Sequence, residues 1–119
     1  MDEIQLGNNT KTLIFNFEDL DNPFLSSVYE GPTAAIDHNG YVLGNEFYLA
    51  NYSAGMRVLN INNISASSNA MTETHFFDSR PEDDGTNFTG VWSIYPYFTS
   101  GNIIINDINR GLFIVKKSD

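Results

Sequence analysis

Three short stretches hold the side chains that could do chemistry. Asp37-His38-Asn39-Gly40 sets an imidazole beside a carboxylate, the combination a general base or a metal ligand needs. Residues 81–90, PEDDGTNFTG, bunch Glu82, Asp83 and Asp84 ahead of Gly85, and hard oxygen ligands around a glycine turn suit Ca2+. Residues 90–98, GVWSIYPYF, gather Trp92, Tyr95, Tyr97 and Phe98 around Pro96. Aromatic rings with a polar tip are what sugar rings and peptides stack on.

Each stretch also has a plainer role. Asp37 and Asn39 suit backbone hydrogen bonds in a turn, with His38 locking the local sheet by a further bond. The chain has two His, and His75 lies in a separate outer strand, so a two-His metal site is disfavoured. The acidic run lacks the ligand alternation of a dedicated calcium loop and reads as a solvated connection, which leaves no cofactor expected beyond a weak Ca2+ candidate. Alternation along 91–95 puts Trp92 with Ile94 on one face, and packing between adjacent sheets is the plain reading of that run. Asp107 with Arg110, and Glu30 or Asp78 with Arg80, are candidate surface ion pairs of little energetic weight. A hydrolase built on His38 and Asp37 is the remotest reading. No Ser sits in G-x-S-x-G and no Gly-rich phosphate loop precedes a helix.

The elements that must position these groups are strands. No window places apolar residues cleanly at i, i+3, i+4 and i+7, whereas short apolar runs bounded by Gly, Asn, Asp or Pro recur throughout. The runs at 13–17, 34–36, 46–50, 56–61, 73–77, 91–95, 102–105 and 112–115 read as eight strands, an all-β pattern. At 119 residues the chain is one domain, and a compact domain of this size buries roughly two-thirds of its unfolded surface. A formal charge of −9 repels phosphate backbones and anionic membrane surfaces, so nucleic acid is not an expected partner. With no Cys there are no disulfides and no thiolate chemistry. No apolar run approaches the ~18 residues that span a bilayer, and residues 1–3 do not begin a signal peptide, so no membrane insertion is expected.

A repeat underlies the strands. Gly55 and Gly111 each open an apolar strand after an Asn-anchored turn at a spacing of 56 residues, and Asn45 and Asn102 precede the strand before it at a spacing of 57. Phe15 and Phe76 each lead into an acid and Pro-containing loop. This cycle of one outer strand and three further strands is that of β-propeller blades. The reading is a single partial propeller module over 1–119, with an outer strand and linker at 12–28, a first blade at 29–79 and a second, incomplete blade at 80–117. About two four-stranded antiparallel blades, out of phase, leave an unpaired edge at each end. Self-association or the remaining blades of a larger propeller would cover those edges, and three copies closing in a cycle would make a six-bladed ring.

Over roughly residues 29–116, GPTAAIDHNGYVLGNEFYLANYSAGMRVLNI and GNIIINDINRGLFIVKK resemble the C-terminal part of the choice-of-anchor B family, bacterial surface proteins built from LVIVD-type propeller repeats. The resemblance implies a propeller, an extracellular or cell-surface location, and no established catalytic activity. The functional expectation is therefore a non-enzymatic module for protein binding or surface display. Its alternative is a glycan- or peptide-binding module with Trp92, Tyr95 and Tyr97 as the stacking platform and Asp37, His38 or Asn39 as polar contacts.

Overall fold

The computed structural model describes residues 6–118. Among them, nine antiparallel strands form three sheets and helix is almost absent. Strands β1 (Lys11–Asn16) and β2 (Phe24–Glu30) make a two-stranded sheet. Strands β3 (Asn39–Leu43), β4 (Glu46–Ala50), β5 (Met56–Asn60) and β6 (Thr72–Phe77) follow one another across a four-stranded middle sheet. Strands β7 (Val91–Tyr95), β8 (Asn102–Asp107) and β9 (Gly111–Lys116) form a three-stranded third sheet.

All-β is the fold class expected from the sequence, but three local readings change. The run at 34–36 is not a strand. Ala35 and Ile36 are buried, yet they lie in the connection after β2, and the ladder begins only where His38 N–H donates to the Ala50 carbonyl at 2.9 Å. Apolar burial without pairing produced a false strand signal. The true strand β3 contains Gly40, which reads as turn punctuation but is required here because a Cβ would lie 2.0 Å from the Phe47 ring packed across it. The third change is at residues 24–30, of which 24–28 are expected as linker and 29–30 as the start of the first blade. They form β2, in which Ser26 and Ser27 interrupt the alternation that marks a strand, and β1 pairs with β2 rather than standing alone as an outer strand.

Cross-strand partners set the repeat at one offset, where sequence spacing alone gives both 56 and 57. Ala50 pairs with Met56 and Tyr48 with Val58; Asn106 pairs with Leu112 and Ile104 with Ile114. Both strands of the middle pair are thus related to those of the third sheet by one offset of 56 residues (106 − 50 and 112 − 56). Asn102 corresponds to Glu46, not to Asn45.

The main core lies between the middle and third sheets. Tyr48, Ala50, Met56 and Val58 meet Val91, Ile94, Ile103 and Ile105, with Tyr41, Phe77, Phe113 and Val115 at the margin. Burial of each large side chain here contributes roughly 1.5–3 kcal/mol. Lys117 Nζ closes one end of the interface on Glu46 Oε1 at 2.6 Å, while Tyr48 donates its hydroxyl to Glu46 Oε2 at 2.7 Å. Burial opposes ionisation of both Glu46 and Lys117, but their mutual bond prevails and holds Glu46 below and Lys117 above its ordinary value. On the opposite face of the middle sheet, Leu49 and Leu59 are buried and Arg57 donates from Nε to the Ala54 carbonyl at 3.0 Å. The β1–β2 hairpin is tied to the middle sheet where Thr12 Oγ1 donates to Asp37 Oδ2 at 2.6 Å.

Both ends of this stack present apolar faces. On the hairpin the facing pairs Leu13–Val28 and Phe15–Leu25 are exposed. On the third sheet Tyr95 and Ile104 share a face with Leu112 and Ile114, which are 62% and 64% exposed. By the ladder correspondence these four match Tyr41, Tyr48, Met56 and Val58, the residues of the middle sheet that the third sheet packs against.

Candidate functional site

The most chemically furnished region lies where β3 and β7, the first strands of their sheets, run beside each other. The chain reaches it through two tight connections. Val91 N–H donates to the Tyr52 carbonyl at 2.8 Å and Ile108 N–H to the Gly90 carbonyl at 2.8 Å. Tyr52 adopts φ 33° and Gly90 φ 93°. A Cβ on Gly90 would come within 2.4 Å of the Tyr52 carbonyl oxygen, so only glycine permits this approach.

His38 and Trp92 clasp each other across the two sheets. Trp92 Nε1–H donates to His38 Nε2 at 3.1 Å, which requires that nitrogen to be unprotonated in a neutral ring and places the proton on Nδ1. His38 Nδ1 lies 2.8 Å from the Trp92 carbonyl oxygen and donates to it. Asn39 Nδ2 donates to the same carbonyl at 2.9 Å. Two residues of β3 and its approach therefore hold one residue of β7 by both its backbone and its indole. With both nitrogens bonded, the His38 ring has no lone pair left for a general base in this state. The Asp37 carboxylate accepts from Thr12 Oγ1 and from Asn51 Nδ2, so its bonds run to the hairpin and to the turn after β4 while those of His38 run to the third sheet.

Tyr52 completes the setting. Its buried ring packs on His38 at 4.8 Å between centroids and meets Phe88 edge-on at 5.5 Å. His38, Tyr52, Trp92, Asn106, Asp107 and Ile108 line an open depression of about 720 Å³. Trp92 and Ile108 are each 50% exposed. Asn106 is exposed, and its side-chain amide forms no hydrogen bond among the described residues.

At the floor, Asp107 is buried and fully used. Oδ2 accepts from Ser79 Oγ at 2.6 Å, and Oδ1 accepts from the backbone N–H groups of Asn109 and Arg110 at 2.8 Å each. Burial works to raise this carboxyl, but the Ser79 hydroxyl and the two N–H groups outweigh it and hold its pKa below the ordinary carboxylate value.

The aromatic run does not act as one cluster. A β-bulge between Val91 and Ser93 places Val91 and Ile94 inside and Trp92 and Tyr95 outside, so Trp92 does not share a face with Ile94. Tyr95 packs with Tyr97 at 5.4 Å and with Phe98 at 4.9 Å, away from the His38–Tyr52–Phe88 set that Trp92 joins through His38. Sequence reasoning singled out Trp92, His38 and Asn39, which the fold brings together. It missed Tyr52, Asn106 and Ile108. The 56-residue offset was the available signal, because it equates Tyr52 with Ile108 and Ala50 with Asn106.

Two of the three acidic side chains of the 81–90 loop are engaged. Glu82 Oε1 accepts from Arg110 Nη2. Asp83 accepts from Gly85 N–H at 2.9 Å and from Asn87 Nδ2 at 3.0 Å, with Arg80 at 3.5 Å. Asp84 is exposed. Among the described residues no three His, Asp or Glu side chains converge as a metal site would require. Comparison with protein-family models, with curated proteins and with solved structures returned no match to this chain.

Proposed function

We propose that the chain is a β-propeller module whose three sheets are successive blades, and that it serves as a non-enzymatic scaffold for protein interaction or cell-surface display. The observation that carries this reading is the repeat in the packing. Leu112 and Ile114 are open to solvent at positions where Met56 and Val58 are covered by the next sheet. An uncovered face of the same make calls for another sheet of the same make. The hairpin's exposed face of Leu13, Phe15, Leu25 and Val28 is the opposite kind of end, so stacking is head-to-tail and closes when the rotation per sheet completes a circle. The covering blade belongs to a second copy or to the rest of a larger ring. In this reading β1 and β2 are the third and fourth strands of a blade, and β9 awaits a fourth. The resemblance to LVIVD-type repeats supports the same arrangement and an extracellular setting.

Light scattering after size exclusion tests it. At roughly 50 µM the chain is expected to run as a multiple of 13.3 kDa. The double substitution Leu112→Asp and Ile114→Asp is expected to weaken association at least about a hundredfold, because two carboxylates would be buried unpaired, while leaving the β-sheet circular dichroism intact. A monodisperse, well-folded wild-type monomer overturns completion by a second copy.

A further inference from the structure

We propose that the depression between β3 and β7 binds a neutral saccharide, with the Trp92 indole as the stacking platform and the Asn106 amide as a hydroxyl partner. The site lies partly on the end face of the stack, because Asn106 pairs with Leu112 and matches the covered Ala50. The inference therefore concerns the dissociated chain, and a stacked sheet would compete with the ligand.

The Trp92 ring is oriented in advance. A half-exposed indole on a surface ordinarily samples rotamers, but here its N–H is fixed on His38 and its own carbonyl is gripped by His38 and Asn39. The ring is held open before any ligand arrives, so binding loses little side-chain freedom. Stacking of an apolar ring face on a fixed indole is the interaction such a surface offers.

A missing neighbour would also leave these side chains exposed, and the ladder separates Trp92 from Asn106 in this respect. Asn39 faces Ala50 and Ser93 faces Asn106, so Asn106 matches Ala50, which the third sheet covers, whereas Trp92 is the bulged residue of β7 and has no ladder partner. His38 stays exposed although the third sheet is already stacked on its own. Trp92 is clasped to that exposed His38, while Asn106 is open where no further sheet lies on β8 and β9.

The walls supply matching chemistry. The depression pairs apolar surface from Trp92 and Ile108 with one free amide, Asn106, and its volume lies in the range of small-ligand sites. An amide both donates and accepts, which suits the hydroxyls of a sugar. The chain carries a net charge of −9, and the nearby carboxylate of Asp107 is already consumed by Ser79, Asn109 and Arg110. Acidic sugars and phosphates are disfavoured, and no free anion waits for a cationic ligand.

Trp92 is the single tryptophan, so its fluorescence reports the site directly. Cellotetraose, xylotetraose, mannotetraose, maltotetraose and chitotetraose are titrated separately, with tetralysine as the cationic comparison. At least one neutral tetrasaccharide is expected to give a saturable change below roughly 10 mM. Asn106→Ala, which removes a group with no internal partner, is expected to weaken that binding about tenfold with the fold unchanged. His38 is a positioning residue. His38→Ala is expected to lower the emission anisotropy of free Trp92 and to weaken binding by a similar factor, and His38→Gln to restore part of both. No saturable response to any neutral sugar, a response to tetralysine alone, or equal affinity in Asn106→Ala overturns the proposal.

Discussion

Asp107→Ala is expected to destabilise the fold by about 3 kcal/mol or more, measured by urea denaturation at neutral pH. The carboxylate is 2% exposed and accepts three hydrogen bonds, from Ser79 Oγ and from the Asn109 and Arg110 backbones. Alanine leaves all three donors without their acceptor inside the join between β6, β8 and β9. Asp107→Asn keeps an oxygen for the two N–H groups and an amide for Ser79, and is expected to lose only about 1 kcal/mol. The pair separates the loss of charge from the loss of the network. Acid supplies a second readout. Burial disfavours the ionised carboxyl, yet its three donors win and the folded pKa lies below the unfolded value of about 3.9. The unfolded chain then takes up a proton before the folded one does. The stabilisation is complete above the unfolded value and disappears as pH falls through the folded one. Asp107→Asn should flatten that part of the acid slope relative to wild type, leaving the parts due to other carboxylates such as Glu46.

The particular residues show what sequence can and cannot transmit here. Strands β4 to β9 were legible because each is a short apolar run between turn residues, and the period of 56 was visible in Gly55 and Gly111 before any ladder existed. Strand β3 was hidden because Gly40 looks like a turn until the Phe47 ring is seen lying on it. Strand β2 was hidden because serines fill its middle. The site was half legible. His38, Asn39 and Trp92 stood out by residue type, but a single bulged residue in β7 decided that Trp92 faces outward, and nothing local in GVWSIYPYF announces a bulge. Tyr52 escaped notice because it sits in a turn at positive φ, a conformation usually left to glycine, and is buried there by the partner strand and not by its own.

The two repeat-related glycines give the sharpest contrast the fold allows. Gly55 and Gly111 open β5 and β9 with the same backbone, φ 82° and 83°. A Cβ at Gly55 would lie 2.2 Å from the Phe77 carbonyl oxygen and 2.8 Å from Asp78 Cα, both supplied by the end of β6. A Cβ at Gly111 meets nothing within 4 Å, because among the described residues no fourth strand lies beside β9. Gly55→Ala must therefore bear both the left-handed backbone and a backbone clash, and is expected to cost about 3 kcal/mol or more. Gly111→Ala bears the backbone term alone, about 1 kcal/mol, in urea denaturation at protein concentrations low enough to keep the chain dissociated. The conformation at Gly111 is thus retained without the steric need that explains it at Gly55. In the blade reading that need returns on assembly, when a fourth strand brings its own carbonyl to Gly111. Gly111→Ala should then impair association, read by light scattering, far more than it impairs folding. Equal folding costs at the two positions would remove the asymmetry on which this contrast rests. An association constant indifferent to Gly111→Ala would show that whatever covers the third sheet leaves the edge of β9 untouched.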